Sequence, residues 1–181
     1  MSNDSGPSNL KSFMHDVPQV KEGLFYLNSK PVDSVTASVR ILLVDDFKLF
    51  RTLVSSILTK QPGYQIVGEA ADGLEAVQRA SELKPDLVVL DTCLPDLNGI
   101  EVARRIRRCS PDSTILFLTG INDPGLAREA FSAGARGYIL KVDVTFELVE
   151  ASIEVILGKR FVSRRLKDSF DSDLNHGFPR T

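Results

Sequence analysis

The chain has 181 residues, with 22 Lys and Arg against 24 Asp and Glu, a formal charge of −2. That near-balance supplies no bulk attraction to nucleic acid or to an anionic membrane. Hydrophobic residues make up 43% of the chain, which excludes a disordered tail protein; the two cysteines, Cys93 and Cys109, exclude a disulfide scaffold or a zinc ribbon. No apolar run approaches the ~20 residues of a membrane span, and the polar start MSNDSGPSNLK does not read as a signal sequence. The expectation is a cytoplasmic protein with no membrane partner.

Residues 1–38 are rich in Ser, Asn, Asp, Pro and Gly and read as a disordered or weakly ordered extension. From Val39 the texture changes. Arg40 to Val44 is a buried-strand run, stopped by Asp45-Asp46. Leu49, Phe50, Leu53, Val54, Ile57 and Leu58 fall at helical spacing within 47–60, before Pro62-Gly63. Tyr64 to Val67 reads as a second strand, then 73–83 as a helix capped by Asp72. The third strand, 86–90, ends at Asp91, and a helix from Asn98 or Gly99 runs to Arg108. Thr114 to Leu118 is the fourth strand. Asp123-Pro124 opens a helix that Gly134 closes. Gly137 to Leu140 is the fifth strand, and a fifth helix runs from Asp143 or Thr145 to Leu157.

Five β-α units in strict alternation predict an α/β doubly wound fold with a parallel sheet and right-handed crossovers. The strands are apolar on both faces, so helices should cover both. The predicted body is 39–158. Residues 159–181 read as a linker-like stub, with a turn or two of helix.

In such a sheet, function gathers at the carboxyl ends of the strands. Here those ends carry Asp45-Asp46, Asp91, Thr119-Gly120 and Lys141. Each has a plain reading when taken alone. Asp45 reads as a turn former or cap, Lys141 as a solvated charge and Thr119 as a turn residue. Four strand ends supplying the set together exceed what capping explains. Three carboxylates held close repel unless a hard divalent cation neutralises them, and oxygen ligands suit Mg2+. A neighbouring Lys and Thr suit a phosphoryl group. No Gly-rich nucleotide loop is present, so a carboxylate nucleophile on the protein is the expected acceptor.

These residues bring the chain close to a family. Val44-Asp45-Asp46, Asp91-Thr-Cys-Leu-Pro-Asp-Leu-Asn-Gly99, Leu118-Thr119-Gly120 and Gly134-Ala-Arg-Gly-Tyr-Ile-Leu-Lys141 resemble the receiver domain of two-component response regulators. Gly68-Glu-Ala-Ala-Asp-Gly73 and Gly158-Lys-Arg-Phe-Val-Ser163 resemble its NarL/FixJ class. The resemblance spans about 39–158. It implies a flavodoxin-like, CheY-like five-stranded sheet of order 2-1-3-4-5. It implies Asp91 as phosphoacceptor and Lys141 as the contact to the phosphoryl oxygens. Asp45, Asp46, Asp91 and the backbone carbonyl of Cys93 are then the Mg2+ ligands. Thr119 is the switch hydroxyl and Tyr138 the switch aromatic that turns inward. It further implies a sensor histidine kinase as donor and a downstream protein partner. Such a module is not an enzyme in the ordinary sense.

Departures from the pattern include Val142 after Lys141, which puts that loop's geometry in question. Ile121 lies two residues past Thr119, near the approach of an attacking water. The class commonly continues into a helix-turn-helix, so two readings stand for the end of the chain: a single-domain receiver or part of a NarL-type DNA-binding regulator. A phosphorylation-independent interaction module is a further alternative. A phosphatase ranks last, for want of an Asp-x-Asp pair. The basic runs Arg104, Arg105, Arg107, Arg108 and Arg160, Arg164, Arg165, Lys167 read as solvated faces, and no direct DNA binding is expected. Helix one (Phe50, Leu53, Ile57) with helix five (Phe146, Val149, Ile153), or the face of helix four, strand five and helix five, are candidate homodimer surfaces.

Overall fold

The computed structural model describes residues 38–167. The extension expected over residues 1–38 lies outside the described residues except for Ser38, as do residues 168–181.

The elements alternate as expected: β1 (Val39–Val44), α1 (Lys48–Leu58), β2 (Tyr64–Ala70), α2 (Gly73–Leu83), β3 (Leu87–Leu90), α3 (Gly99–Cys109), β4 (Thr114–Thr119), α4 (Pro124–Ser132), β5 (Gly137–Leu140), a 3-10 turn (Lys141–Asp143), α5 (Val144–Ile156) and β6 (Phe161–Val162). All neighbouring strands pair in parallel, in the order β2-β1-β3-β4-β5-β6.

Strand periodicity divides the core into two layers. Leu42, Val44, Val88, Leu90, Ile115, Phe117 and Tyr138 pack with α2, α3 and α4. The alternate residues of each strand, Ile41, Leu43, Leu87, Val89, Leu116, Leu118 and Ile139, pack with α1 and α5. This is why the strands read as unbroken apolar runs. Capping sets the helix starts: Asp72 accepts from Glu75 N at 2.7 Å, Asn98 from Ile100 N at 2.8 Å and Asp123 from Gly125 N at 2.7 Å. Glu75 answers Asp72 by accepting from Ala71 N at 3.0 Å, so both ends of the α2 entry are tied.

The sixth strand is additional to the five expected. It comes from the segment read as a linker-like stub. Phe161 N donates to Arg136 O at 3.0 Å and Ser163 N to Tyr138 O at 2.9 Å, covering the open edge of β5. Phe161 and Val162 pack into opposite core layers, and Leu166 is fully buried beyond them. Two residues are too few to reveal a strand period in sequence. What makes them a strand is the vacant edge beside them.

Candidate functional site

A parallel sheet brings all its carboxyl ends to one rim. Asp45 and Asp46 follow β1, Asp91 follows β3, Thr119 ends β4 and Lys141 follows β5, so the sequence-predicted residues share that rim. One carboxylate oxygen from each of Asp45, Asp46 and Asp91 lies within 4.8 Å of the others. Asp45 and Asp91 are buried; Asp46 is exposed. The Lys141 ammonium lies 2.6 Å from Asp45 Oδ2 and 2.6 Å from Asp91 Oδ2. It also sits 4.8 Å from the centroid of the Phe50 ring. One ammonium against three carboxylates leaves a local formal charge of −2.

Burial raises the Asp91 carboxyl above its ordinary pKa, although the Lys141 ammonium works the other way. Burial also disfavours the Lys141 ammonium, but its hydrogen bonds to Asp45 and Asp91 outweigh that and hold it above its ordinary value. The lysine is therefore held in its charged form among closely spaced carboxyl groups.

Asp45 both forms a turn and faces the cluster. Its Oδ1 accepts from Phe47 N at 2.9 Å, forming the turn into α1, while Oδ2 meets Lys141. The question over Val142 resolves simply. Its side chain is exposed, it lies in the 3-10 turn Lys141–Asp143, and Lys141 reaches both aspartates. Cys93 is exposed, and its N–H donates to Asp91 Oδ1 at 3.2 Å. A cavity of about 230 Å³ opens beside Thr119 and Lys141, bordered by Arg165.

Thr119 and Tyr138 lie in a hydrogen-bonded chain next to this cluster. The Thr119 hydroxyl is fully buried and lies 2.5 Å from the Thr92 hydroxyl; it accepts from Ile121 N at 3.1 Å. The Tyr138 hydroxyl donates to Ile121 O at 2.8 Å, and the ring is already buried against Phe117. Burial holds the Tyr138 phenol well above its ordinary pKa.

Four contributors had no site role in the sequence reading, although Thr92, Asp96 and Gly99 lie in the motif from Asp91 to Gly99. Thr92 follows from register: Leu90 pairs with Phe117, so two residues on Thr92 faces Thr119. Arg51 donates to the Asp45 carbonyl at 2.5 Å and pairs with Glu69 at 2.9 Å, fixing the β1 end; nothing in its spacing signals that. Asp96 accepts from Gly73 N at 2.7 Å and Leu74 N at 2.9 Å, which holds its carboxyl below its ordinary pKa and ties the Asp91 loop to α2. Gly99 is required by close approach, because a Cβ there would collide with the Asp91 carbonyl.

The fold and the acidic rim together define a doubly wound α/β domain with a carboxylate cluster at the carboxyl ends of its strands. The family described as response regulator receiver domain matches residues 41–168. This chain belongs to that family. It is 35% identical over 128 residues to the response regulator GacA of Pseudomonas viridiflava, covering 71% of this chain and 60% of that protein. It is 38% identical over 112 residues to the chemotaxis protein CheY of Thermotoga maritima, covering 62% of this chain and 92% of that protein. A two-component response regulator of the LuxR family from Aurantimonas sp. SI85-9A1 superposes with a TM-score of 0.73 at 36% identity, covering 76% of this chain and 99% of the other. The chain thus spans only about 60% of the length of GacA.

Proposed function

We propose that Asp91 is the phosphoacceptor of this receiver domain. The observation that carries this reading is the buried Asp91 carboxylate with Lys141 2.6 Å away, inside a cluster one ammonium cannot neutralise. An Asp91 carboxylate oxygen attacks the donor phosphorus, a P–N bond to a histidine breaks, and the departing imidazole takes a proton. Lys141 then faces the new phosphoryl oxygens instead of a bare carboxylate. A sensor histidine kinase is the donor in this reading.

Hard oxygen donors and a residual charge of −2 fit a divalent cation. Asp45, Asp46, Asp91 and the Cys93 backbone carbonyl would hold Mg2+. When bound, the ion supplies neutralisation of the phosphoryl charge and of the aspartate cluster. The residues of the chain do the rest: Arg51 holds the Asp45 backbone, Cys93 N–H orients Asp91, and Asp96 and Gly99 fix the loop that presents it.

Thr119 carries the output in this reading. Its hydroxyl exchanges Thr92 for a phosphoryl oxygen, which strains the Ile121 link to Tyr138 and biases the packing of α4 and β5. A downstream protein binds that face. The domain signals rather than turning over a substrate. Among the described residues no helix is long and apolar enough to cross a membrane, and the cytoplasm is the compartment we assign. Self-association through α1 and α5 has Leu53, Phe146 and Ile153 available as exposed apolar side chains, whereas Phe50 and Ile57 pack against the core. Sedimentation showing a monomer with and without phosphorylation removes that interface.

Intact mass after incubation with acetyl phosphate tests the central reading. One phosphoryl group is expected in the presence of Mg2+ and none in EDTA. No gain under either condition would leave a phosphorylation-independent interaction module.

A further inference from the structure

The arginines of the two basic runs do not share one fate. Arg104 pairs with Glu129 at 3.2 Å, Arg105 with Glu101 at 2.8 Å, Arg164 with Glu150 at 2.8 Å and Arg165 with Asp143 at 2.7 Å. Among the described residues, no carboxylate pairs with Arg107 or Arg160, nor with Arg136 of the α4–β5 loop. These three come together. They line one cavity of about 430 Å³, with Asp112, Ser113 and Phe131.

The cavity lies where β4 and β5 begin, at the rim opposite the acidic pocket. Its walls come from the last turn of α3 with the α3–β4 loop, the end of α4 with the loop after it, and the residue before β6. Among the described residues the three guanidiniums have only neutral partners. Arg107 Nη1 donates to the carbonyls of Pro111 and Ser113, and Arg136 Nη1 to Gly158 O at 3.1 Å. Arg160 lies 5.4 Å from the centroid of the Phe131 ring. A guanidinium has five N–H donors, so most remain for a ligand. Three arginines against Asp112 leave a local charge of +2.

We propose that this cavity binds a small phosphoryl-bearing anion of at least two charges. Guanidinium forks match phosphoryl oxygens two at a time, which a lysine cannot do. The volume lies within the range of small-molecule sites, on the order of 300–1,000 Å³, and leaves room for a body beyond the phosphate. Arg160 over Phe131 supplies a flat cationic and aromatic wall for such a body. Because Arg160 precedes β6 while Arg107 and Arg136 belong to the main body, the anion also pins the last strand to the sheet.

Calorimetric titration of the full chain with pyrophosphate in EDTA buffer tests the site away from any metal-dependent chemistry. One bound equivalent is expected, weakened about tenfold or more in Arg160→Gln and in Arg136→Gln. Arg104→Gln, which removes the same charge outside the cavity, should leave binding within about twofold. Among the described residues the Arg160 side chain makes only a ring contact, so its variant tests binding without removing a described hydrogen bond of the fold. Equal weakening in Arg104→Gln, unchanged binding in Arg160→Gln, or no binding by the parent would each overturn the proposal. So would binding of a short single-stranded oligonucleotide in place of pyrophosphate, lost steeply with salt.

Discussion

The acidic pocket and the C-terminal seam both bury carboxylates, yet they treat them oppositely. In the seam, Glu147 is buried and both oxygens are used. Oε2 accepts from the Ser163 hydroxyl at 2.7 Å and Oε1 from Arg164 N at 3.1 Å. Asp143 accepts from Arg165 Nε with both oxygens, at 2.9 and 2.7 Å. Every acid there has a dedicated donor. In the pocket, Asp45, Asp46 and Asp91 crowd within 4.8 Å around a single ammonium. Separated acids with donors of their own fasten a segment to the fold; like charges crowded around one shared cation are a cost to it.

This contrast predicts opposite signs for two isosteric substitutions. Removing the charge at Asp91 should abolish phosphoryl gain from acetyl phosphate, the largest effect expected, while raising stability in Mg2+-free urea titrations at neutral pH. The pH dependence follows from the raised folded-state pKa of Asp91. Between its ordinary value and the folded value the native state binds more protons than the unfolded one, so stability falls as pH rises through that window. The advantage of Asp91→Asn should therefore vanish below about pH 4, where the unfolded carboxyl is itself protonated. Equal stability of parent and variant at neutral pH would break the contrast.

On the seam side, Leu166→Ala should cost about 2–4 kcal/mol by urea denaturation, since the side chain is fully buried in the α2–α4 layer. A cost near zero would mean that the segment after β6 is a mere appendage. Glu147→Gln should destabilise by about 1–2 kcal/mol, because an amide cannot accept from two donors on both its heteroatoms. Its sign, opposite to that of Asp91→Asn, is the sharpest comparison between the regions. Arg164→Gln should cost less, about 0.5 kcal/mol, because its pair with Glu150 is exposed.

The sequence reveals most of the acidic rim because parallel topology alone collects strand ends. Asp45, Asp46, Asp91, Thr119 and Lys141 need no side-chain detail to be placed together. Thr92 requires the β3–β4 register, and Arg51 and Asp96 act through contacts that cross between elements. Those contacts depend on packing that no local period encodes. β6 escapes for the same reason: Phe161 and Val162 become a strand only against the edge of β5. The basic runs show the limit from the other side. On helical spacing alone Arg105 and Arg107 look alike, yet one meets Glu101 and the other lines a cavity with Arg136 and Arg160.

Gly99 shapes the backbone beside the pocket, and Tyr138 links the pocket to the seam. Gly99 lets α3 start against the Asp91 backbone. Tyr138 belongs to both, with its hydroxyl on the Ile121 carbonyl at the pocket side and its own carbonyl accepting from Ser163 N at the seam. A displacement of Thr119 therefore has a hydrogen-bonded route to β6. Tyr138→Phe should cost about 1 kcal/mol in stability and leave phosphoryl gain unchanged, measured by urea titration beside intact mass.

Site mapping of the phosphoryl group is the most direct test. The parent chain is treated with acetyl phosphate and Mg2+, digested rapidly in acid, and its peptides are examined with and without hydroxylamine, which cleaves acyl phosphates. The phosphoryl group should reside on the peptide carrying Asp91 and be lost with hydroxylamine. A hydroxylamine-stable group, or one carried by any other peptide, would contradict the assignment of Asp91 as acceptor.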